Sequence, residues 1–151
     1  MNGCQKYLPL KIYEIHMELI IWKDSLNVGI ATIDQQHRKL VSIINKLFNA
    51  MSQGKSNEIL QAVFSELSAY VVTHFGLEEK YMKQYEYEDY DSHKQEHKYF
   101  IDKLNEFKLK FSSGSGALTL DILHFLKDWL LKHISGTDRK YIPLLKEKGM
   151  N

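Results

Sequence analysis

The sequence predicts an all-α protein, an antiparallel up-down-up-down four-helix bundle with an N-terminal arm and a short C-terminal helical tail. Three observations predict this class. Apolar residues recur at helical spacing in four successive segments, and the short polar links between them favour antiparallel neighbours. No part of the 151-residue chain resembles a strand-rich pattern or a glycine-rich phosphate-binding loop. A chain of this length is expected to form one domain with a sizeable core.

The first two helices are predicted from two apolar stripes. The first stripe ends at Gly54 and comprises Ile33, Leu40, Val41, Ile44, Leu47, Phe48 and Met51. Ser56 is the predicted N-cap of the second helix. The second stripe comprises Leu60, Val63, Phe64, Leu67, Val71, Leu77 and Tyr81.

The third and fourth helices lie on either side of a flexible turn, SSGSG at 112–116. Before them, the acidic segment YEYEDYDS is interpreted as a solvated loop, with a docking surface as the alternative. The third stripe comprises Phe100, Ile101, Leu104, Phe107 and Phe111. The fourth comprises Ile122, Phe125, Leu126, Trp129 and Leu130, and a final partial helix is predicted around Pro143. Residues 1–16 are interpreted as an extension of unknown role, and residues 17–151 as the domain.

Composition excludes several classes of protein. Twenty basic and nineteen acidic residues give a formal charge of +1, which argues against a broad nucleic-acid-binding surface or a polybasic membrane anchor. Charges interrupt every apolar stretch, so no membrane span is predicted. Cys4 is the only cysteine, which excludes an internal disulfide and a cysteine-based metal site. We expect a cytoplasmic protein and a monomer.

Histidines and one glutamate continue the apolar faces of the predicted helices. These residues are His37, His74, Glu78, His93, His97 and His133. Residues three or four apart share a helical face, so each helix directs at least one such side chain into the bundle. A neutral polar group buried without a partner costs roughly 2–7 kcal/mol. Bound metal would remove this cost, because imidazole nitrogens and carboxylate oxygens then become ligands.

Asp138 completes the set in the segment HISGTD. It follows His133 by five residues, and an ideal α-helix would rotate it away from the face of that histidine. We therefore predict a helix end or a π-type widening around Ser135–Gly136, where Gly136 would ease the distortion of the backbone.

The four ordered motifs resemble the hemerythrin family, specifically the single-domain bacteriohemerythrins. The resemblance rests on WKDSLNVGIATIDQQH, HFGLEE, HKQEH and HISGTD, and it covers about residues 20–140. It implies a non-haem centre of two iron ions (Fe2+/Fe3+) with a bridging oxo or hydroxo group. By the resemblance, His93, His97 and His133 bind one iron and His37 and His74 bind the other. Glu78 and Asp138 bridge the pair.

The family resemblance implies a function as well as a site. Counting ligands leaves one free position, on the iron with two histidines, and O2 would bind there reversibly for transport, storage or delivery. Trp129, Leu130 and Ile134 are candidates for the wall of the oxygen pocket, with ordinary core packing as the alternative. The expected partner is O2, and the expected protein is not an enzyme. Two other functions stay open: sensing of O2 or redox state, and di-iron peroxide or nitric oxide chemistry.

Other readings of these residues are weaker. Seven ligands without cysteine exceed what one structural zinc ion needs, and HKQEH lacks the glutamate that a zinc-protease motif places after its first histidine. His16 and His124 are expected at the surface or at a boundary. Asp34 is interpreted as a cap of the first helix, with support of His37 as the alternative.

Overall fold

The computed structural model describes residues 17–114 and 118–151. The extension predicted at residues 1–16, with His16 and Cys4, lies outside the described residues, as does part of the SSGSG turn. Within the described residues the structure is all-helical and contains no strand. No helix in this part of the chain is long and apolar enough to cross a membrane.

Four long helical rods form the predicted bundle. The first is α1 (Ala31–Ser52), preceded by a short 3₁₀ turn at Asp24–Leu26. The second joins α2 (Ser56–Tyr70), a π-helical turn (Val71–Phe75) and α3 (Gly76–Gln84). The third is α4 (Tyr90–Ser112). The fourth joins α5 (Leu118–Trp129), a π-helical segment (Leu130–Thr137) and α6 (Asp138–Glu147), so the predicted tail continues the last rod.

The turn between α1 and α2 differs by one residue from the prediction. Gly54 has φ +70°, the left-handed conformation that commonly ends a helix. Lys55, not Ser56, occupies the N-cap position, and its carbonyl accepts a hydrogen bond from the Glu58 N–H at 3.1 Å. No side chain caps α2, so the prediction that Ser56 is the N-cap was wrong.

Asp34 fixes the segment that leads into the bundle. Its carboxylate accepts hydrogen bonds from the backbone N–H groups of Val28 at 2.7 Å and Gly29 at 3.0 Å. It caps no N–H of its own helix, and it makes no hydrogen bond to His37. Both interpretations of Asp34 were therefore wrong, because the carboxylate reaches back to the preceding residues instead.

The π turn at Val71–Phe75 changes which residues of the second rod are buried. In the predicted stripe, Val71 and Tyr81 are partly buried against the two apolar clusters, and Leu77 is also only partly buried. The buried apolar residues next to the turn are Tyr70, Phe75 and Met82. A π turn accommodates an extra residue and so rotates the following face, which an α-helical period cannot anticipate.

Two apolar clusters fill the bundle and leave a polar layer between them. The larger cluster includes Leu40, Phe64, Phe100 and Leu126. The smaller one lies at the other end of the bundle and comprises Val28, Ile30, Ile33, Met82, Tyr141, Ile142 and Leu145. Along each rod the predicted ligand residues fall at the junction of the two clusters, so apolar packing surrounds them on both sides.

The YEYEDYDS segment contributes to the smaller cluster. Tyr85, Tyr87 and Tyr90 are partly buried against that cluster, whereas Glu86 and Glu88 are exposed. The acidic side chains are therefore solvated, as expected for a loop, and the aromatic rings cover one end of the core.

Candidate metal centre

Seven predicted ligand residues meet in the polar layer, and all four rods contribute to it. Their exposed fractions lie between 0% and 2%. They are His37 from α1, His74 and Glu78 from the second rod, His93 and His97 from α4, and His133 and Asp138 from the fourth rod. By contrast, His124 is exposed, as predicted.

The π segment at Leu130–Thr137 brings Asp138 to the same face as His133. An α-helix would separate two residues five positions apart, yet Asp138 Oδ1 lies 3.0 Å from His133 Nε2. The prediction of π geometry around Ser135–Gly136 is thus confirmed. The expectation for Gly136 was wrong, since its φ is not positive and a Cβ there would meet nothing within 4 Å.

The side chains form two groups that could each hold a metal ion. One consists of Glu78, His93, His97 and His133, and the other of His37, His74, Glu78 and Asp138. Within each group the candidate ligand atoms lie within 4.8 Å of one another. We call these the three-histidine group and the two-histidine group.

Both carboxylates divide their oxygens between the two groups. Glu78 Oε1 lies 3.4 Å from His74 Nε2, while Oε2 lies 3.0 Å from His97 Nε2. Asp138 Oδ2 lies 3.2 Å from His37 Nε2, while Oδ1 lies 3.0 Å from His133 Nε2. Two ligand atoms bound at right angles about 2.1 Å from one ion are roughly 3 Å apart. The spacing therefore suits two adjacent ions that share both carboxylates.

Several polar atoms at the centre of this site lack hydrogen-bond partners in the folded chain. They are the Nε2 atoms of His37, His74 and His133, Oε2 of Glu78, and both carboxylate oxygens of Asp138. Buried polar groups are normally hydrogen-bonded, and exceptions need a physical reason. A pair of cations between the two groups would satisfy all six atoms, so the residues present fit a dinuclear metal centre.

Hydrogen bonds with side chains on other rods orient the rings of three of the histidines. The Nδ1 atoms of His97 and His133 donate to Glu79 at 3.1 Å and to Glu96 at 2.6 Å. Glu96 also accepts a hydrogen bond from the Thr137 hydroxyl at 3.2 Å. Because a carboxylate only accepts, each ring must carry its proton on Nδ1 and presents Nε2 to the site.

The third oriented histidine is His74, whose Nδ1 lies 2.9 Å from Gln36 Oε1. Sequence reasoning missed Gln36, Glu79 and Glu96. Glu79 and Glu96 stand next to predicted ligands in HFGLEE and HKQEH, which is a signal that could have identified them as candidates. Their partners, however, lie on other rods.

Aromatic residues enclose the histidines. The Phe75 ring stacks on His97 at 3.8 Å between centroids, and Trp129 stacks on His133 at 4.0 Å. Tyr141 donates a hydrogen bond to Glu78 Oε1. Burial raises the pKa of the Tyr141 hydroxyl well above its usual range, and the charges of Glu78 and Asp138 raise it further, so the hydroxyl keeps its proton.

The charge states of the groups suit a cation. Burial lowers the pKa of His74 to about 4, which keeps the ring neutral near pH 7. Burial also opposes ionisation of Glu78 and Asp138, but the neighbouring histidines outweigh it and hold both pKa values below the usual range. Burial lowers the pKa of His93 as well, yet the carboxylates of Asp138 and Glu78, which lie 3.3 Å and 3.6 Å from its Nε2, raise it to about 9. Without a cation, a proton on His93 therefore partly compensates the two carboxylates.

Of the three residues predicted to line the oxygen pocket, Trp129 contacts a candidate ligand, since its ring stacks on His133. Trp129 is 6% exposed, Leu130 is 1% exposed and Ile134 is fully buried, and all three belong to the larger apolar cluster. A surface cleft of about 620 Å³ reaches Trp129, His133 and Glu96 from the solvent side. Water in this cleft can thus approach the outer edge of His133.

Comparisons with known proteins agree on one family. The Hemerythrin HHE cation binding domain matches residues 28–145. The chain is 34% identical to a bacteriohemerythrin of Stenotrophomonas maltophilia (strain R551-3), over 86% of this chain and 84% of that protein. It is 35% identical to a bacteriohemerythrin of Clostridium acetobutylicum, over 82% of this chain and 99% of that protein. The crystal structure of wild-type hemerythrin superposes with a TM-score of 0.72 at 29% identity, covering 84% of this chain and 98% of that chain.

Proposed function

Because the chain belongs to the hemerythrin family, we propose that it binds O2 reversibly at a non-haem centre of two iron ions with an oxo or hydroxo bridge. His93, His97 and His133 would hold one ion, and His37 and His74 the other. Glu78 and Asp138 would bridge the two. The proposed activity is binding for transport, storage or delivery, and not catalysis.

The single observation that carries this proposal is the division of both carboxylates between the two histidine groups. A mononuclear site has no use for two carboxylates whose oxygens face opposite groups, 3.0–3.4 Å from nitrogens on either side. The ligand chemistry also fits iron, since imidazole nitrogen and carboxylate oxygen are common ligands of non-haem iron and no thiolate is involved.

The unequal histidine count supports binding at one end of the site. The three-histidine group offers five protein ligands when both carboxylates are counted, and the two-histidine group offers four. A small molecule would therefore bind to the ion of the two-histidine group. Held by these residues, a pair of iron ions would supply the reversible electron transfer that O2 binding needs.

The residues of the chain contribute orientation and exclusion of water. Glu79 and Glu96 keep Nε2 of His97 and His133 directed inward through the Nδ1 hydrogen bonds. Leu130 and Ile134 are buried apolar residues on the rod that carries His133, and in this proposal they cover the site. Such cover disfavours the access of water and protons that would turn reversible binding into irreversible oxidation.

The histidine-rich composition of the site favours a carrier over a catalyst. Five histidines and two carboxylates meet in it, whereas the ferritin-like di-iron sites are built from glutamates with Glu-x-x-His motifs, which this sequence lacks. The carrier hypothesis predicts a stable oxygenated form with slow consumption of peroxide. The enzymatic alternative predicts the reverse.

The experiment is a rapid-mixing measurement of O2 release, with peroxide turnover measured on the same iron-loaded sample. We expect O2 to leave and the starting spectrum to return, whereas rapid peroxide turnover without a stable oxygenated form would overturn the proposal. His133→Ala should abolish O2 binding. The matched control is His124→Ala, which removes an exposed histidine from the same rod and should bind O2 normally.

A further inference from the structure

Tyr70 is a buried tyrosine next to the site that the proposed function does not use. It precedes His74 by four residues, and its ring stacks on the His74 imidazole at 4.9 Å between centroids, with 30° between the planes. The residue is 3% exposed. Tyr70 therefore forms part of the lining of the two-histidine group.

The hydroxyl of Tyr70 has no hydrogen-bond partner in the folded chain. A buried hydroxyl usually finds a partner, because leaving it unpaired forfeits its interaction with water. Phenylalanine would fill the same space without this penalty. We therefore expect the Tyr70 hydroxyl to find its hydrogen-bond acceptor on a ligand from outside the protein.

The other buried tyrosine at the site shows what a structural role looks like. The Tyr141 hydroxyl donates to Glu78 Oε1 and is satisfied within the chain. Tyr141 therefore orients a bridging carboxylate, while Tyr70 offers a free donor on the side with fewer protein ligands.

We propose that the Tyr70 hydroxyl donates a hydrogen bond to the small acceptor ligand that the site takes up from solution. The inference rests on the proposed dinuclear centre. It adds a specificity determinant of this chain: the site favours diatomic or anionic ligands with an electron-rich terminal atom over equally small ligands that accept hydrogen bonds poorly.

The test compares Tyr70→Phe, Tyr141→Phe and the unaltered chain in two measurements. The first is urea unfolding of the metal-free proteins, a readout that does not depend on the metal. The second is the affinity of the iron-loaded, oxidised proteins for sodium azide, followed by absorption spectroscopy after the iron content has been verified.

We expect metal-free Tyr70→Phe to unfold at the same or a higher urea concentration than the unaltered chain, because only an unpaired donor is lost. Tyr141→Phe should unfold at a lower concentration, because Glu78 Oε1 loses its donor. In iron-loaded Tyr70→Phe, azide affinity should fall roughly tenfold or more, as expected for a hydrogen bond to a charged acceptor.

Three results would overturn the inference and leave the proposed function intact. They are unchanged azide affinity in Tyr70→Phe, a lowered urea midpoint in that variant, and its failure to load two irons. The second would reveal a partner for the hydroxyl within the fold, and the third a role in holding the metal. An unaltered chain that binds iron but neither azide nor O2 would overturn the proposed function as well.

Discussion

Replacing Glu78 with glutamine should uncouple the two halves of the site. Glu78 directs Oε1 toward His74 at 3.4 Å and Oε2 toward His97 at 3.0 Å. In Glu78→Gln, one of these oxygens becomes an amide NH2, which donates and cannot bind a cation. At least one ion then loses a ligand. The negative charge that Glu78 and Asp138 together place between the two ions falls by half.

The magnitude follows from the ligand count. With both carboxylates the three-histidine ion has five protein ligands and the two-histidine ion has four. Glutamine keeps one oxygen and cannot bridge, so either the first number falls to four or the second falls to three. The ion held by His37 and His74 has fewer ligands and should be lost first. Loss of an outer partner alone typically costs 10–100-fold in metal affinity, and loss of a bridging ligand should exceed that. We expect one iron or fewer per chain.

The assay is iron analysis after gel filtration, combined with competition against a ferrous chelator. Glu79→Gln is the matched control, because Glu79 is the next residue and reaches the site only through His97 Nδ1. It should retain two irons at saturating iron and lose them to the chelator roughly 10–100 times more readily than the unaltered chain. If Glu78→Gln kept two irons with unaltered resistance to the chelator, the bridging role of Glu78 would be refuted.

Three other predictions follow from the same structure. Leu130→Ser should speed oxidation of the oxygenated protein in air, while the exposed Leu131→Ser should not; equal rates followed by absorption would contradict a gating role for Leu130. Removing iron with a chelator should lower the melting temperature. At a free iron concentration 100 times the Kd, each bound ion adds about 2.7 kcal/mol to the free energy of unfolding, so an unchanged calorimetric transition would contradict this prediction. Hydrogen bonds from Lys39 and Lys46 lower the pKa of Glu66, so this carboxylate stabilises the fold above its unfolded pKa and that stability is lost as pH falls through the folded value. Glu66→Gln should therefore cost up to about 1 kcal/mol near pH 7 in urea unfolding, and the cost should shrink as the pH falls through the folded pKa of Glu66. A cost that did not depend on pH would refute the assignment.

The helical period predicted the bundle because most of its core follows a regular spacing. The buried residues Leu40, Phe64, Leu104 and Leu126 lie on the predicted stripes. Near the π turn of the second rod the predicted stripe contains Leu77, which is only partly buried, whereas Phe75 and Met82 are buried there. A spacing of four between His74 and Glu78 gives no sign of the π turn that begins three residues earlier.

Spacing along a single helix also determined which parts of the site could be predicted. The five-residue spacing from His133 to Asp138 conflicts with an α-helix, so it revealed the second π segment in advance. The partnership of Glu96 with His133 joins two rods across 37 residues. Such contacts depend on the interhelical register, which periodicity within one helix does not encode.

Metal analysis coupled to an optical spectrum under air and under argon tests whether two irons share Glu78 and Asp138 and bind O2 reversibly. We expect two irons per chain and a visible charge-transfer band that appears in air and vanishes on deoxygenation. One metal ion per chain, or an iron-loaded protein whose spectrum is the same under both gases, would contradict it.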